Sequence, residues 1–172
     1  CAGGAAYSPA ITDVIIMVEG QAFMFITGPA VIEAVTGEQV DAETLGGADV
    51  HMTLSGTAHL AASSEADALA LCQRTLSYLP SNNVENPPYV VPADDPLRMD
   101  DALNHLVPVD PSEPYSMHEV ILRVVDGSEF LELQPGWARN AVIGLARIGG
   151  HSVGIVAQEP STIAGVIDID AS

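Results

Sequence analysis

Lysine is absent from this 172-residue sequence, and its only permanent cations, Arg74, Arg98, Arg123, Arg139 and Arg147, face 23 acidic residues for a formal charge of −18. A field of that sign repels phosphate backbones and anionic bilayers, which excludes nucleic-acid binding and membrane-surface binding as main roles. The acidic residues are spread along the chain and not gathered in a tail. An acidic, solvated surface adapted to a salty medium is therefore expected ahead of a basic partner. Cysteine is also scarce. Cys1 and Cys72 lack CxxC spacing and sit in Ala/Leu surroundings, so buried free thiols in a reducing cytoplasm are expected and a zinc or redox site is not. No apolar run reaches the roughly 18 residues of a spanning helix, and no basic segment followed by an apolar core opens the chain, so a soluble, non-exported protein is expected. The sequence starts at Cys1, without Met, in the middle of an apolar, glycine-rich pattern, and is expected to be a piece of a longer chain.

Apolar residues make up 48% of the sequence, enough for a real core. The opening stretch, Cys1-Ala2-Gly3-Gly4-Ala5-Ala6-Tyr7-Ser8-Pro9-Ala10, reads as a helix that two glycines open after a buried strand end. A helix start presents unpaired N–H donors and a partial positive charge, and residues without Cβ let a ligand carbonyl approach them. Taken alone, such a pair is more often only a tight turn or a close helix contact.

Further along, Val14–Val18 and Ala22–Ile26 are short, partly β-branched runs separated by Glu19-Gly20-Gln21 and read as buried strands. Pro29 suits the first position of a short helix closed by Gly37, and Asp41 caps another turn ended by Gly46-Gly47. From Ala48 to Ala62 the pattern is irregular. His51 and His59 there, with Asp49 the only local third ligand, read as loop histidines bonded to backbone, so no metal site is expected. Ser64 with Asp67 opens an amphipathic helix with Ala66, Leu69, Ala70, Leu76 and Leu79 near one face, stopped by Pro80.

The stretch from 80 to 114 holds Pro80, Pro87, Pro88, Pro92, Pro96, Pro108, Pro111 and Pro114, which rule out long helices and central strands. It is expected to be an extended linker whose acidic pairs, Asp94-Asp95 and Asp100-Asp101, are solvated. Ser116 and Glu119 then form a capping box before Val120, Ile121, Val124 and Val125, and Gly127 ends that helix. After a short amphipathic run, Glu129–Leu133, and a turn at Pro135-Gly136-Trp137, two apolar strands flank Gly149-Gly150 as a hairpin. Helices and sheet on both sides of the linker imply an α/β protein.

Stretches in order from end to end resemble the carboxyltransferase (β) subunit of biotin-dependent acyl-CoA carboxylases, most of all the propionyl-CoA carboxylases. They include Cys1–Ala5 with Tyr7–Ala10, Phe25-Ile26-Thr27-Gly28-Pro29, Leu45-Gly46-Gly47-Ala48, Ser55-Gly56-Thr57-Ala58-His59, Glu129-Phe130 with Glu132, Gly144-Leu145-Ala146-Arg147, Val153-Gly154-Ile155-Val156 and Ile167-Asp168-Ile169. Two departures stand out: Leu54 where the family usually carries a charge, and Gln158-Glu159 where it usually has Asn-Gln.

The resemblance implies a crotonase-like (ClpP/crotonase) α/β carboxyltransferase fold in parts of two lobes. Residues 1–87 would be the C-terminal part of the N-terminal lobe, 88–114 the interlobe linker and 115–172 the start of the C-terminal lobe. It implies that the backbone amides of Gly3 and Gly4 form an oxyanion hole and that Ala2, Ala5 and Tyr7 contact substrate. A short-chain acyl-CoA, propionyl-CoA first, would receive a carboxyl group at its α-carbon, with biotin, as carboxybiotin on a carrier domain, the cofactor. A methylcrotonyl-CoA carboxylase β, methylmalonyl-CoA transcarboxylase or biotin-dependent decarboxylase subunit is the alternative, and a non-catalytic oligomerisation module the alternative of another class. The implied partners are a biotin carboxylase/biotin carboxyl carrier α subunit and further copies in a hexamer, with a cytoplasmic location, or the mitochondrial matrix in a eukaryote.

Acidic self-repulsion makes one expectation measurable. Chemical unfolding midpoints should rise between about 0.1 M and about 2 M salt, where the screening length falls to a few ångströms. An unchanged midpoint would count against adaptation to a salty medium.

Overall fold

The run Ala22–Ile26 does not become the second strand expected of it, and the reason sets the layout of the first half. In the computed structural model, which describes residues 1–172, Phe23 to Ile26 lie beside the opening residues of the chain. Cys1 N donates to Phe23 O at 2.6 Å and Phe25 N to Cys1 O at 3.2 Å, and Ala2 forms an isolated parallel bridge with Phe25. Backbone pairing thus exists, but over too few residues to make a strand.

In chain order, one 3-10 turn (Gly3–Ala6) leads into α1 (Tyr7–Ala10), then β1 (Ile16–Val18), α2 (Pro29–Thr36), α3 (Ala42–Gly46), α4 (Ala48–Thr53), β2 (Leu60–Ala62) and α5 (Glu65–Leu76). The proline-rich stretch holds α6 (Leu103–Leu106), and after it come α7 (Met117–Val124), β3 (Phe130–Leu133), β4 (Ala141–Ile148) and β5 (His151–Gln158), with 3-10 turns at Asp126–Ser128 and Ile163–Gly165. The contacts divide the chain into two units, Cys1–Cys72 with Gln134–Trp137, and Gln73–Leu133 with Ala138–Ser172. No helix is long and apolar enough to cross a membrane.

In the first unit β1 and β2 pair in parallel, Ile16 with Leu60 through Val18 with Ala62. Ala6, Ile15, Met17, Met24, Ala48, Met52 and Ala58 form its core. As expected, Pro29 opens α2 and Gly37, at φ +74°, closes it by donating to Glu33 O. Asp41 caps α3 by accepting from Thr44 N at 2.7 Å. The stretch 48–62, read as irregular, instead holds α4 and β2, of six and three residues, too short for a periodicity to register.

Ser64 caps α5 by accepting from Asp67 N at 3.2 Å, while Asp67 accepts from Ser63 N at 2.8 Å. The expected inward face of α5 is turned the other way. Leu69, Leu76 and Leu79 are exposed, and Thr75 and Tyr78 are the buried residues there. Cys72 shares the outward side, and both cysteines are exposed, not buried as expected. Local apolar context failed here because the side of α5 that packs is decided by distant groups: Arg74 reaches Phe130 O at 3.2 Å, and Arg147 lies 4.3 Å over the Tyr78 ring.

The second unit is a three-stranded antiparallel sheet in the order β3-β4-β5. Ile121 and Val125 pack on Val142 and Ala146 of β4. The Gly149-Gly150 hairpin forms as expected, with φ of +58° and +82° at the two turn residues, the twist a two-residue loop needs. Asp126 fixes it by accepting from Gly149 N at 2.9 Å and Gly150 N at 2.7 Å.

Helix α7 departs from expectation at both ends. Ser116 makes no side-chain cap, and the Met117 N–H is taken by Glu159 Oε2 at 3.0 Å. At the other end the helix stops at Val124, before Gly127. Arg98 crosses those final carbonyls, donating to Arg123 O at 3.0 Å and Val125 O at 2.9 Å, which satisfies orphan acceptors with a cation at the helix's negative end.

The linker acids are accordingly not merely solvated. Asp94 accepts from Gly127 N at 2.6 Å and lies 3.7 Å from Arg98, and Asp100 pairs with Arg123 at 2.9 Å. That bond to Arg123 holds the Asp100 carboxyl below its usual range.

Replacing Asp126 with Ala strands two partly buried amides of the hairpin. Unfolding should become easier by about 2 kcal/mol, the scale for unsatisfied buried donors, as read from denaturant midpoints. A change below about 0.5 kcal/mol would show that water replaces the carboxylate there.

Candidate functional site

Gly3 sits at φ +60°, a conformation in which a Cβ is strained, and its N–H donates to both Phe25 O (3.1 Å) and Ile26 O (3.0 Å). The pairing of residues 1–3 with 23–26 thus fixes how the chain enters its opening turn. One residue on, Gly4 has no left-handed requirement, and its N–H makes no hydrogen bond within the chain. A Cβ built on Gly4 meets nothing within 4 Å. Of the two glycine amides, one is therefore occupied as a structural anchor and the other is left without a partner in the chain, on an exposed residue.

Ala2 and Ala5 are exposed beside it, and Tyr7 is exposed at the start of α1. Tyr7 also lines an open hollow of about 500 Å³ in this unit, together with Ala6, Met24, Phe25, Ile32 and His51. Ala2, Gly3, Gly4 and Ala5 are not among its lining residues. The wall depends on a close approach: a Cβ on Gly46 would stand 2.3 Å from Met24 O, and Met24 N donates to Gly46 O at 2.9 Å. Only glycine lets the end of α3 lie against residues 24 and 25.

Both ring nitrogens of His51 are engaged, Nε2 with Met24 O at 2.6 Å and Nδ1 with Ser55 Oγ at 2.8 Å, so it braces the wall. His59 Nδ1 accepts from Ile15 N at 3.1 Å, and burial lowers its pKa, keeping the ring neutral. Both histidines are thus bonded to backbone groups, although His51 lies on α4 and not in a loop. No group of three His, Cys, Asp or Glu side chains is placed to hold a metal ion.

The wall residues Met24, Ile32 and His51 were not singled out as site residues in the sequence. The available signal was indirect, since Phe25–Pro29 and Leu45–Ala48, two of the matching stretches, are the segments that meet at Gly46. A second polar centre, His118 with Glu132 and Glu159, was not legible as a centre: Glu132 stood out only in a matching stretch and Glu159 only as a departure, and both lie far from His118 in sequence, 14 and 41 residues away.

The chain matches the model of the carboxyl transferase domain over residues 1–172. It is 52% identical over 172 residues to the methylmalonyl-CoA decarboxylase subunit alpha of Veillonella parvula, covering all of this chain and 34% of that protein. It is equally 52% identical to the propionyl-CoA carboxylase, carboxyltransferase subunit, of Haloferax mediterranei, covering 100% and 33%. Its fold superposes on the crystal structure of transcarboxylase 12S with a TM-score of 0.95 at 47% identity, over 99% of this chain and 34% of that one. A single-chain, multi-domain long-chain acyl-CoA carboxylase superposes with a TM-score of 0.80 at 30% identity, over 99% and 16%. The chain thus spans about a third of the length of the curated relatives it matches, and the α/β carboxyltransferase fold expected from the sequence is the fold it has. Over its full described length, this chain belongs to the carboxyl transferase domain family.

Proposed function

We propose that the protein carrying this chain is the carboxyltransferase subunit of a biotin-dependent enzyme that places a carboxyl group on the α-carbon of a short-chain acyl-CoA, propionyl-CoA first. The observation that carries this reading is the match to the carboxyl transferase domain along all of residues 1–172, with relatives named for propionyl-CoA and acetyl-/propionyl-CoA carboxylases among the similar proteins. Residues 1–87 are read as the end of the N-terminal lobe, 88–114 as the interlobe linker and 115–172 as the start of the C-terminal lobe. Other copies in a hexamer and an α subunit with biotin carboxylase and carrier domains are the proposed partners. The assignment of hexamers is supported by the transcarboxylase 12S structure, described as a hexamer assembly. Cytoplasm, or the mitochondrial matrix in a eukaryote, is the proposed location.

Carboxybiotin, delivered on the carrier, supplies the CO2 and the base. This chain's part is electrostatic. As the α-proton leaves the acyl-CoA, negative charge grows on the thioester oxygen, and a fixed N–H donor aimed at that oxygen stabilises the transition state more than the ground state. Gly3 and Gly4 are the proposed oxyanion-hole residues. The free Gly4 N–H is the donor, and Gly3, anchored on Phe25 and Ile26, holds it in place. Open space over Gly4 fits a planar ligand group, and Ala2, Ala5 and Tyr7 are the proposed substrate contacts.

A second direction is favoured by one observation. A relative of the same 52% identity is named as a methylmalonyl-CoA decarboxylase subunit, and another as a methylmalonyl-CoA carboxyltransferase 12S subunit. The same donor serves removal of the carboxyl group as well as its addition, since both pass through one enolate.

Carboxyl transfer by the full-length protein, supplied with carboxybiotin and propionyl-, acetyl- or methylcrotonyl-CoA, tests the reading. Transfer to none of them would sink it. Gly4→Val should lower kcat by about 10²-fold or more with the oligomer intact on size-exclusion chromatography, because the branch blocks the donor. Wild-type turnover in that variant removes Gly4 from the site. Gly3→Ala should act differently: stability falls by about 1 kcal/mol from backbone strain at φ +60°. Unaltered stability there would show that the turn relaxes to another conformation.

A further inference from the structure

Within the second unit, His118 near the start of α7 lies between two carboxylates. Its Nδ1 is 3.0 Å from Glu159 Oε2, and its Nε2 is 2.9 Å from Glu132 Oε1 on β3. Neither nitrogen has another partner. Glu159, only 4% exposed, is already saturated with donors: Met117 N at 3.0 Å on Oε2, and Ser161 N at 3.1 Å and Ser161 Oγ at 2.8 Å on Oε1. A carboxyl that receives so many N–H and O–H groups is an ionised acceptor, so the proton between it and His118 belongs to the ring. The same holds on the Glu132 side if that bond is to form at the same time. Both bonds together therefore require an imidazolium. The three groups do not converge on a common point, which excludes a metal site of this composition.

What the bridge holds is the turn that follows β5. Glu159 begins it, and Ile163 and Ala164 adopt left-handed backbone at φ +40° and +56°, a conformation that costs free energy unless its surroundings impose it. Asn140 secures the far end by donating to Val166 O at 2.6 Å. Pro160, Ser161 and Ala164 of this turn, with Val107, Pro111 and Tyr115, line an open cavity of about 600 Å³.

We propose that His118 is a proton-operated clamp: as an imidazolium it ties β3 and Glu159 together through α7 and braces the strained turn 160–166, and loss of one ring proton leaves a single N–H for two carboxylates, breaks that tie and loosens the turn and one wall of the cavity.

The direction of titration agrees with this geometry. Burial, the largest influence on His118, pushes its pKa down, but the hydrogen bonds and charges of Glu132 and Glu159 outweigh it and leave the pKa raised above 6.5. Glu132 on β3 and Glu159 after β5 are the ionisable groups that act on it most. A raised histidine contributes stability that is complete below about 6.5 and is lost as pH climbs through the raised value. Glu159 works at the other limit. Burial pushes it up, the bonds from Ser161, His118 and Met117 outweigh that, and its pKa lies below 4.5, so its contribution disappears only as pH falls through that lowered value. The clamp is closed between these limits and opens on the alkaline side.

Hydrogen–deuterium exchange of the intact protein, corrected for the intrinsic pH dependence of exchange, reads the turn directly. Between about pH 6 and pH 9, peptides covering 157–166 should gain about tenfold in exchange rate, the scale of one lost charge-assisted bond, while peptides from β4 do not. In His118→Gln the turn should exchange fast at both pH values, with no step. Absence of the step in the unaltered protein, or its survival in His118→Gln, overturns the proposal. Should His118→Gln fail to fold, Glu132→Gln removes one of the two charges and must move the step to lower pH; a step that stays in place is equally fatal. Neither readout involves carboxyl transfer, so the clamp and the proposed activity stand or fall separately.

Discussion

The carboxylate–amide hydrogen bond is the interaction on which this chain's architecture rests. With 23 acidic residues and five arginines, ion pairing cannot account for most of the charge. The acids instead find backbone N–H groups: Asp41 at Thr44, Asp67 at Ser63, Asp94 at Gly127, Asp95 at Leu97, Asp110 at Ser112, Asp126 at Gly149 and Gly150, and Asp168 at Ala171. Each such bond fixes a turn or a helix start that would otherwise leave donors unpaired. An acidic surface and ordered connections are thus one feature seen from two sides. The arginines complement this by going to carbonyls: Arg74 to Phe130, Arg98 to the end of α7, and Arg147 to Ser77. Arg139 alone remains exposed without a partner.

Features encoded by neighbours along the chain were legible in the sequence. The Gly149-Gly150 hairpin, the Asp41 and Ser64 caps, and the Pro29 start and Gly37 stop of α2 each depend on residues within a few positions, and each formed as expected. Features decided by distant groups were not. Ser116 had the right neighbours for a capping box but makes no side-chain cap, and the first amide of α7, Met117 N, is bonded instead by Glu159, 42 residues away. The apolar stripe of α5 had the right spacing, but Arg74 and Arg147 anchor the other side of the segment. Ala22–Ile26 had strand composition, and its partner proved to be the opening residues of the chain, with Cys1 bonded to Phe23 22 positions away across α1 and β1.

The candidate site shows the same divide. Two adjacent glycines announced a helix start open to a ligand, and that much was local. Which of the two amides is free depends on where Phe25 and Ile26 lie, and the sequence pattern holds no record of that. A residue can therefore matter at such a site by giving up its own donor: Gly3 bonds inward, and the consequence is that Gly4 faces outward.

The exposure of Cys72 on α5 has a practical side. Because the chain contains no lysine, reagents directed at side-chain amines find nothing on it, and trypsin has five positions at most, four of them held in hydrogen bonds or ion pairs. Thiol reagents meet the opposite situation, with both cysteines accessible. The surface is chemically silent in one channel and open in the other, so a probe placed on Cys72 reports from a single known point on the outward face of α5.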